Sequence, residues 1–184
     1  MTRRFAQIAF TPAVRALQER YGSRVSASQP EGDSLGEREA QYLSRADSFY
    51  LATVGETGWP YVQHRGGPPG FLRVLSPKQL GFADFRGNQQ YVSAGNAARD
   101  DRASAIVMDY VERRRLKLMG RLRFVDVADA DPALVRAVEL SGYRARVERV
   151  ALLDLAAFDW NCPQHITQRF TLEQLEALQS PDKR

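Results

Sequence analysis

From Ser48 onward the apolar residues come in short runs, some alternating with polar residues and some continuous, separated by turn formers. Ser48 to Val54 is rich in aromatic and β-branched residues and reads as a strand. Gly55-Glu56-Thr57-Gly58 is a turn, and Trp59 to Arg65 is the returning arm of a hairpin. Gly66-Gly67-Pro68-Pro69-Gly70 is irregular; Phe71 to Leu75 and Leu80 to Phe85 are strands divided by a turn at Ser76-Pro77. Ala103 to Tyr110 and Arg149 to Phe158 complete the apolar runs. From Arg115 to Phe124 the pattern mostly alternates, with Arg115, Lys117, Arg121 and Arg123 opposite Leu116, Leu118, Leu122 and Phe124. That predicts a strand, continuing to Val127, with one buried and one solvated basic face.

Helical signals lie mainly at the margins. Thr11-Pro12 is an N-cap followed by proline at the first helical position, Gly22 is a stop, and Val14, Leu17 and Tyr21 form an apolar stripe. Ser34-Leu35-Gly36-Glu37 matches a capping box that opens a helix running to about Ala46. Further helices are expected over Gln89 to Arg99, after Asp131-Pro132, and after Thr171. Sequential short strands with tight turns, and helices at the edges, predict a mainly β chain folded as an antiparallel barrel. No glycine-rich dinucleotide fingerprint, nucleophile elbow, zinc-protease helix or Walker motif is present.

Composition narrows the classes. At 184 residues, 43% hydrophobic and a net charge of +4, the chain is neither disordered nor too small for one core. The single Cys162 excludes an internal disulfide. The greasiest stretch, Val150 to Trp160, carries Asp154 and Asp159 and is too short to span a bilayer. Arg3-Arg4 is followed by a segment broken at Gln7 and Pro12, so a cytoplasmic location is expected. The positive charge is nearly all arginine, which suits phosphate and carboxylate. Its spread along the chain argues against a nucleic-acid surface. With two histidines and one cysteine, no metal centre is expected, although Cys162-Pro163-Gln164-His165 has ligand-like spacing.

Three segments carry candidate chemistry. Gln63-His64-Arg65-Gly66-Gly67 combines an anion-binding arginine with glycines that let a flat or anionic ligand approach the backbone; equally, it is a strand ending in a structural turn. Asp84-Phe85-Arg86-Gly87-Asn88-Gln89-Gln90 leaves a strand and enters a helix, the arrangement of a phosphate cradle or of a capped helix with a surface arginine. Trp160, in the segment after the last strand, is either core or a platform for a flat ring.

Taken together, Ser48 to Val54, Gly58 to Gly67 and Gly81 to Asn88 resemble the pyridoxamine 5'-phosphate oxidase-like group of flavin-binding split β-barrels, and Asp159 to His165 is similar to one branch of it. The resemblance implies a mainly β antiparallel split barrel over residues 48–165, an N-terminal helical extension over 1–47 and a C-terminal helix over 166–184. It implies a homodimer binding FMN at two sites between subunits, and a small-molecule substrate. Gln63, His64, Arg65 and Gly66 would lie along the flavin and its ribityl chain. Arg86, Gly87, Asn88, Gln89 and Gln90 would surround the phosphate, with Asp84 leading into that loop. Met108 and Asp109 would come from the same or the partner subunit, and Trp160 and Asn161 would close over the ring. Arg65 and the glycine amides would favour the reduced flavin. The sequence departs from the oxidases twice. Asn88-Gln89-Gln90 stands where they carry Ser-Arg-Lys, and their C-terminal arginine pair is missing after Trp160. The implied activity is therefore flavin redox chemistry on another substrate, with a non-catalytic flavin or haem carrier as the alternative.

Overall fold

The computed structural model describes residues 3–23, 33–161 and 163–179. Its seven strands form one antiparallel sheet: β1 (Ser48–Val54), β2 (Pro60–Gly66), β3 (Arg73–Ser76), β4 (Gln79–Phe85), β5 (Arg102–Asp109), β6 (Arg114–Asp126) and β7 (Val147–Asn161). The strand order is β2-β1-β5-β6-β7-β4-β3, so β2 and β3 are the free edges and the barrel is split between them. Six helices accompany the sheet among the described residues: α1 (Arg3–Ala9), α2 (Pro12–Arg20), α3 (Glu37–Ser44), α4 (Val92–Arg99), α5 (Pro132–Val138) and α6 (Leu172–Gln179).

The alternation along β6 translates directly into burial: Leu116, Leu118 and Leu122 are buried while Arg121 and Arg123 are exposed. These leucines join Leu51, Phe49, Phe71, Phe82, Val107 and Leu153 inside the barrel. Phe49 stacks on Phe71 and meets Phe82 edge-on, with ring centroids 5.8 and 5.3 Å apart. β4 is buried on both sides, because Leu80 and Phe82 face the barrel while Ala83 lies against Val138 of α5 and Val150 and Leu152 of β7. α3 adds Tyr42 and Leu43 to the barrel core.

The hairpin between β1 and β2 closes through Gly55 N–H to Trp59 O (3.0 Å), with Gly58 at φ +82°. Thr11 caps α2 by accepting from Val14 N–H, and Asp131 caps α5 by accepting from Ala133 N–H. Thr171 and Gln174 cap α6 reciprocally.

Several expectations are corrected. α3 is opened by Gly36, whose N–H donates to Glu39 Oε2 at 3.1 Å, and not by Ser34 with Glu37. Gln89 and Tyr91 have φ of 59° and 52°, so α4 starts only at Val92. The Val14-Leu17-Tyr21 stripe of α2 buries nothing: Leu17 and Tyr21 are exposed. The N-terminal residues form α1, which buries Phe5 and Ala6 and makes its main contacts with β7. No helix among the described residues is long and apolar enough to cross a membrane.

Candidate functional site

β2 sorts the first candidate segment by alternation. Gln63 and Arg65 turn toward a cleft, whereas His64 points the other way and meets Tyr50 edge-on at 5.7 Å. The glycines beyond Arg65 are occupied by the protein itself. A Cβ on Gly66 would lie 2.9 Å from the His64 ring, and one on Gly67 would lie 2.8 Å from Phe71 Cβ. Gly67 N–H donates to Asp47 O. The close approach at these two glycines is made by the His64 ring, the Asp47 carbonyl and Phe71.

The cleft is lined by Gln63, Arg65, Asp84, Gly87, Asn88, Gln89, Tyr91, Val92 and Arg149, among others. Asp84, on β4, is 2% exposed. Its Oδ1 accepts from Arg65 Nη1 at 2.6 Å, and its Oδ2 accepts from Arg149 Nε at 2.9 Å and Nη2 at 2.5 Å. Arg149 sits opposite Asp84 in the β4–β7 register. Arg65 comes from β2, which has no ladder to β4. The ion cluster therefore ties the two sides of the split where no backbone hydrogen bonds do. Arg149 lies over the Tyr91 ring at 4.5 Å, and both arginines flank Phe124.

α4 brings its N-terminus to the same cleft. Its N-cap, Tyr91, makes no side-chain cap, so the first N–H groups of the helix are left for another acceptor. Ser93, buried in the first turn, donates to Gln63 Oε1 at 3.1 Å and fixes that amide. Asn88 Oδ1 accepts from Gln90 N–H and shapes the loop. Arg86 is half exposed and points to Glu148 at 3.7 Å. With its amide oriented to offer oxygen, Gln89 accepts from Arg86 Nε and Nη2 at 3.0 and 2.9 Å. Arg65 Nε is buried without a partner. Unspent guanidinium donors, side-chain amides and an uncapped helix N-terminus fit an anionic group such as a phosphate.

The structure thus brings together Gln63, Arg65, Asp84, Gly87, Asn88 and Gln89, with Arg86 and Gln90 on the same loop. Arg149, Tyr91 and Ser93 are additions that sequence reasoning missed. Arg149 is revealed only by strand register, and Tyr91 and Ser93 only by where α4 begins.

Met108, Asp109, Trp160 and Asn161 lie elsewhere within the chain. Met108 and Asp109 line a groove with Tyr42, Arg45, Tyr110 and Arg169. Trp160 donates its indole N–H to Glu39 Oε1 at 2.7 Å and packs edge-on against Tyr42 at 4.7 Å. Arg38 and Arg114 lie over its ring at 4.5 and 4.6 Å. Asn161, with its amide oriented likewise, accepts from Arg115 Nε and Nη2. Burial pushes the Tyr42 phenol up from its ordinary range, and the nearby Asp109 charge adds to this. No group of three or more His, Cys, Asp or Glu side chains able to hold a metal ion occurs among the described residues.

The fold is shared with solved structures of low sequence identity. HupZ from group A Streptococcus matches with a TM-score of 0.55 and 12% identity, covering 74% of this chain and 99% of that one. A pyridoxamine 5'-phosphate oxidase-related, FMN-binding protein from Nostoc punctiforme matches with a TM-score of 0.51 and 20% identity, covering 70% and 85%. A search of curated protein sequences gives no match. The profile of the family described as pyridoxamine 5'-phosphate oxidase matches residues 35–157, more than half of the chain and every strand but the end of β7. The chain belongs to the pyridoxamine 5'-phosphate oxidase family.

Proposed function

We propose that this protein binds FMN, with the phosphate against the N-terminus of α4, and acts as a flavin-dependent oxidoreductase on a small molecule. The observation that carries the reading is the convergence of Gln63, Arg65, Asn88 and Gln89 on an uncapped helix N-terminus in one cleft. Family membership and the FMN-binding protein of Nostoc punctiforme support the cofactor. When bound, the flavin supplies the redox chemistry, and the protein supplies position and charge.

The chain's own residues then have separate tasks. Arg65 holds the anionic end of the ligand, not the ring, because it is tied to Asp84 beside α4. Ser93 fixes the Gln63 amide so that its Nε2 faces outward as a donor. Asn88 accepts from Gln90 N–H and so shapes the turn that leads to the helix. Met108, Asp109, Trp160 and Asn161 do not line this cleft, and a second copy in a homodimer would bring them to the flavin.

The test is titration of the protein with FMN, followed by flavin fluorescence, and then addition of NADH or NADPH with an electron acceptor. Arg65→Ala is expected to weaken FMN about tenfold or more, the scale of a charge-assisted hydrogen bond. Unchanged affinity would contradict the placement of the phosphate. Retained flavin without reduction or turnover would turn the reading to a flavin carrier. That second reading has one observation in its favour: both oxygens of Asp84, the carboxylate that lines the cleft, are already taken by guanidinium donors.

A further inference from the structure

The cleft takes its positive charge from an unexpected place. The loop after β4 offers Asn88, Gln89 and Gln90, which are neutral, and its one cation, Arg86, is directed to Glu148 and Gln89. Two strands supply the cations instead: Arg65 from β2 and Arg149 from β7. Both are largely buried, and both are held by one carboxylate, Asp84. Asp84 accepts three N–H bonds, one on Oδ1 and two on Oδ2. Arg149 Nη1 and Arg65 Nη2 make no hydrogen bond among the described residues; Arg65 Nε also lacks one but is buried. Two cations and one anion leave the cluster with a charge of one positive unit facing the cleft.

We propose that Arg65 and Arg149 form a guanidinium pair that selects the phosphate-monoester end of a flavin, and that Asp84 is the positioning residue that holds the pair. This rests on the flavin reading above. Two guanidinium groups on one side of a small cleft repel each other, and burial removes the water and salt that would screen them. Asp84 cancels that repulsion and sets the planes of both forks. Tyr91 and Phe124 support those planes through their ring faces. A buried carboxylate beside an anion site ordinarily opposes binding. Here its geometric effect outweighs its sign, because without it the two arginines separate and their remaining donors no longer converge.

The experiment compares dissociation constants for FMN and riboflavin on the full chain, measured by flavin fluorescence. The ratio isolates the phosphate, since the ring and ribityl chain are common to both. The unaltered protein is expected to prefer FMN. Arg149→Met should lower that preference about tenfold or more while riboflavin affinity holds. Asp84→Asn raises the cluster's positive charge by one unit yet should also lower the preference, and Asp84→Glu should fall between Asn and the unaltered protein. A preference that rises in Asp84→Asn overturns the positioning role. Should that variant fail to fold, Asp84→Glu decides: it keeps the charge and moves the carboxylate, so an unchanged preference overturns the role. An unchanged preference in Arg149→Met overturns the guanidinium pair. Equal binding of FMN and riboflavin by the unaltered protein overturns the inference and leaves flavin binding standing. Binding of neither overturns both.

Discussion

Two arginine pairs stand in different parts of this barrel and serve different ends. Arg65 and Arg149 grip a buried carboxylate and line a cleft with donors to spare. Arg38 and Arg114 cover the ring of Trp160, whose N–H is already committed to Glu39. Glu39 in turn spends its other oxygen on the Gly36 N–H that opens α3. The Tyr42 hydroxyl beside them lies within hydrogen-bond distance of the carbonyls of Val107 and Arg114. The second cluster is committed at its centre: the polar atoms of Trp160, Glu39 and Tyr42 all find protein partners, and the Glu39–Trp160 bond holds α3 to β7. The first is open: its charges hold each other in place and still leave N–H groups unmatched. A charged cluster marks a binding site when its geometry is fixed and its hydrogen bonding is unfinished.

The comparison breaks most visibly at Asp84. Asp84→Ala leaves two buried guanidinium groups facing each other, and should cost about 3–5 kcal/mol of stability in urea unfolding. A loss below about 1 kcal/mol would mean that the cluster does not join the two sides of the split. Next comes Trp160→Phe, which keeps an aromatic ring but strands Glu39 Oε1, and should cost about 1–3 kcal/mol. The preference for FMN over riboflavin should not change, because Trp160 lies apart from the anion cleft. Ser93→Ala removes the donor to Gln63 Oε1, with an expected cost of about 1 kcal/mol and a severalfold loss of flavin affinity.

The smallest effect should come from an ion pair that resembles the first cluster but lies at the surface, between an exposed Arg102 and a partly exposed Asp100. Hydrogen bonds from Arg102 hold the Asp100 carboxyl down at about 2, against an ordinary 3.8. A depressed carboxylate contributes stability above its ordinary value and loses it as pH falls toward the lower one. The melting temperature of Asp100→Asn should therefore lack a shallow decline between pH 3.8 and about 2 that the unaltered protein shows. Identical pH profiles would show that solvent screens the pair completely.

Most of the fold was legible because its signals are local. Alternation along β6, the glycine turn after β1 and the caps at Thr11, Asp131 and Thr171 each depend on residues a few positions apart. The loop after β4 was legible only at its first end, as the exit from a strand. What escaped is set by register or by competition. Arg149 faces Asp84 only because β7 pairs with β4 in a particular alignment. α4 starts late because Gln89 and Tyr91 adopt left-handed backbone angles. Gly67 looked like room for a ligand, yet Phe71 fills that room. The partner of the Trp160 indole N–H, Glu39, lies far away in sequence and gave no local signal.

The most direct test of the central claim is the visible absorption spectrum of the purified protein, recorded after saturation with FMN and removal of the free cofactor. The account predicts flavin bands that stay with the protein and diminish in Arg65→Ala and Arg149→Met. A protein left colourless after FMN is removed would contradict it.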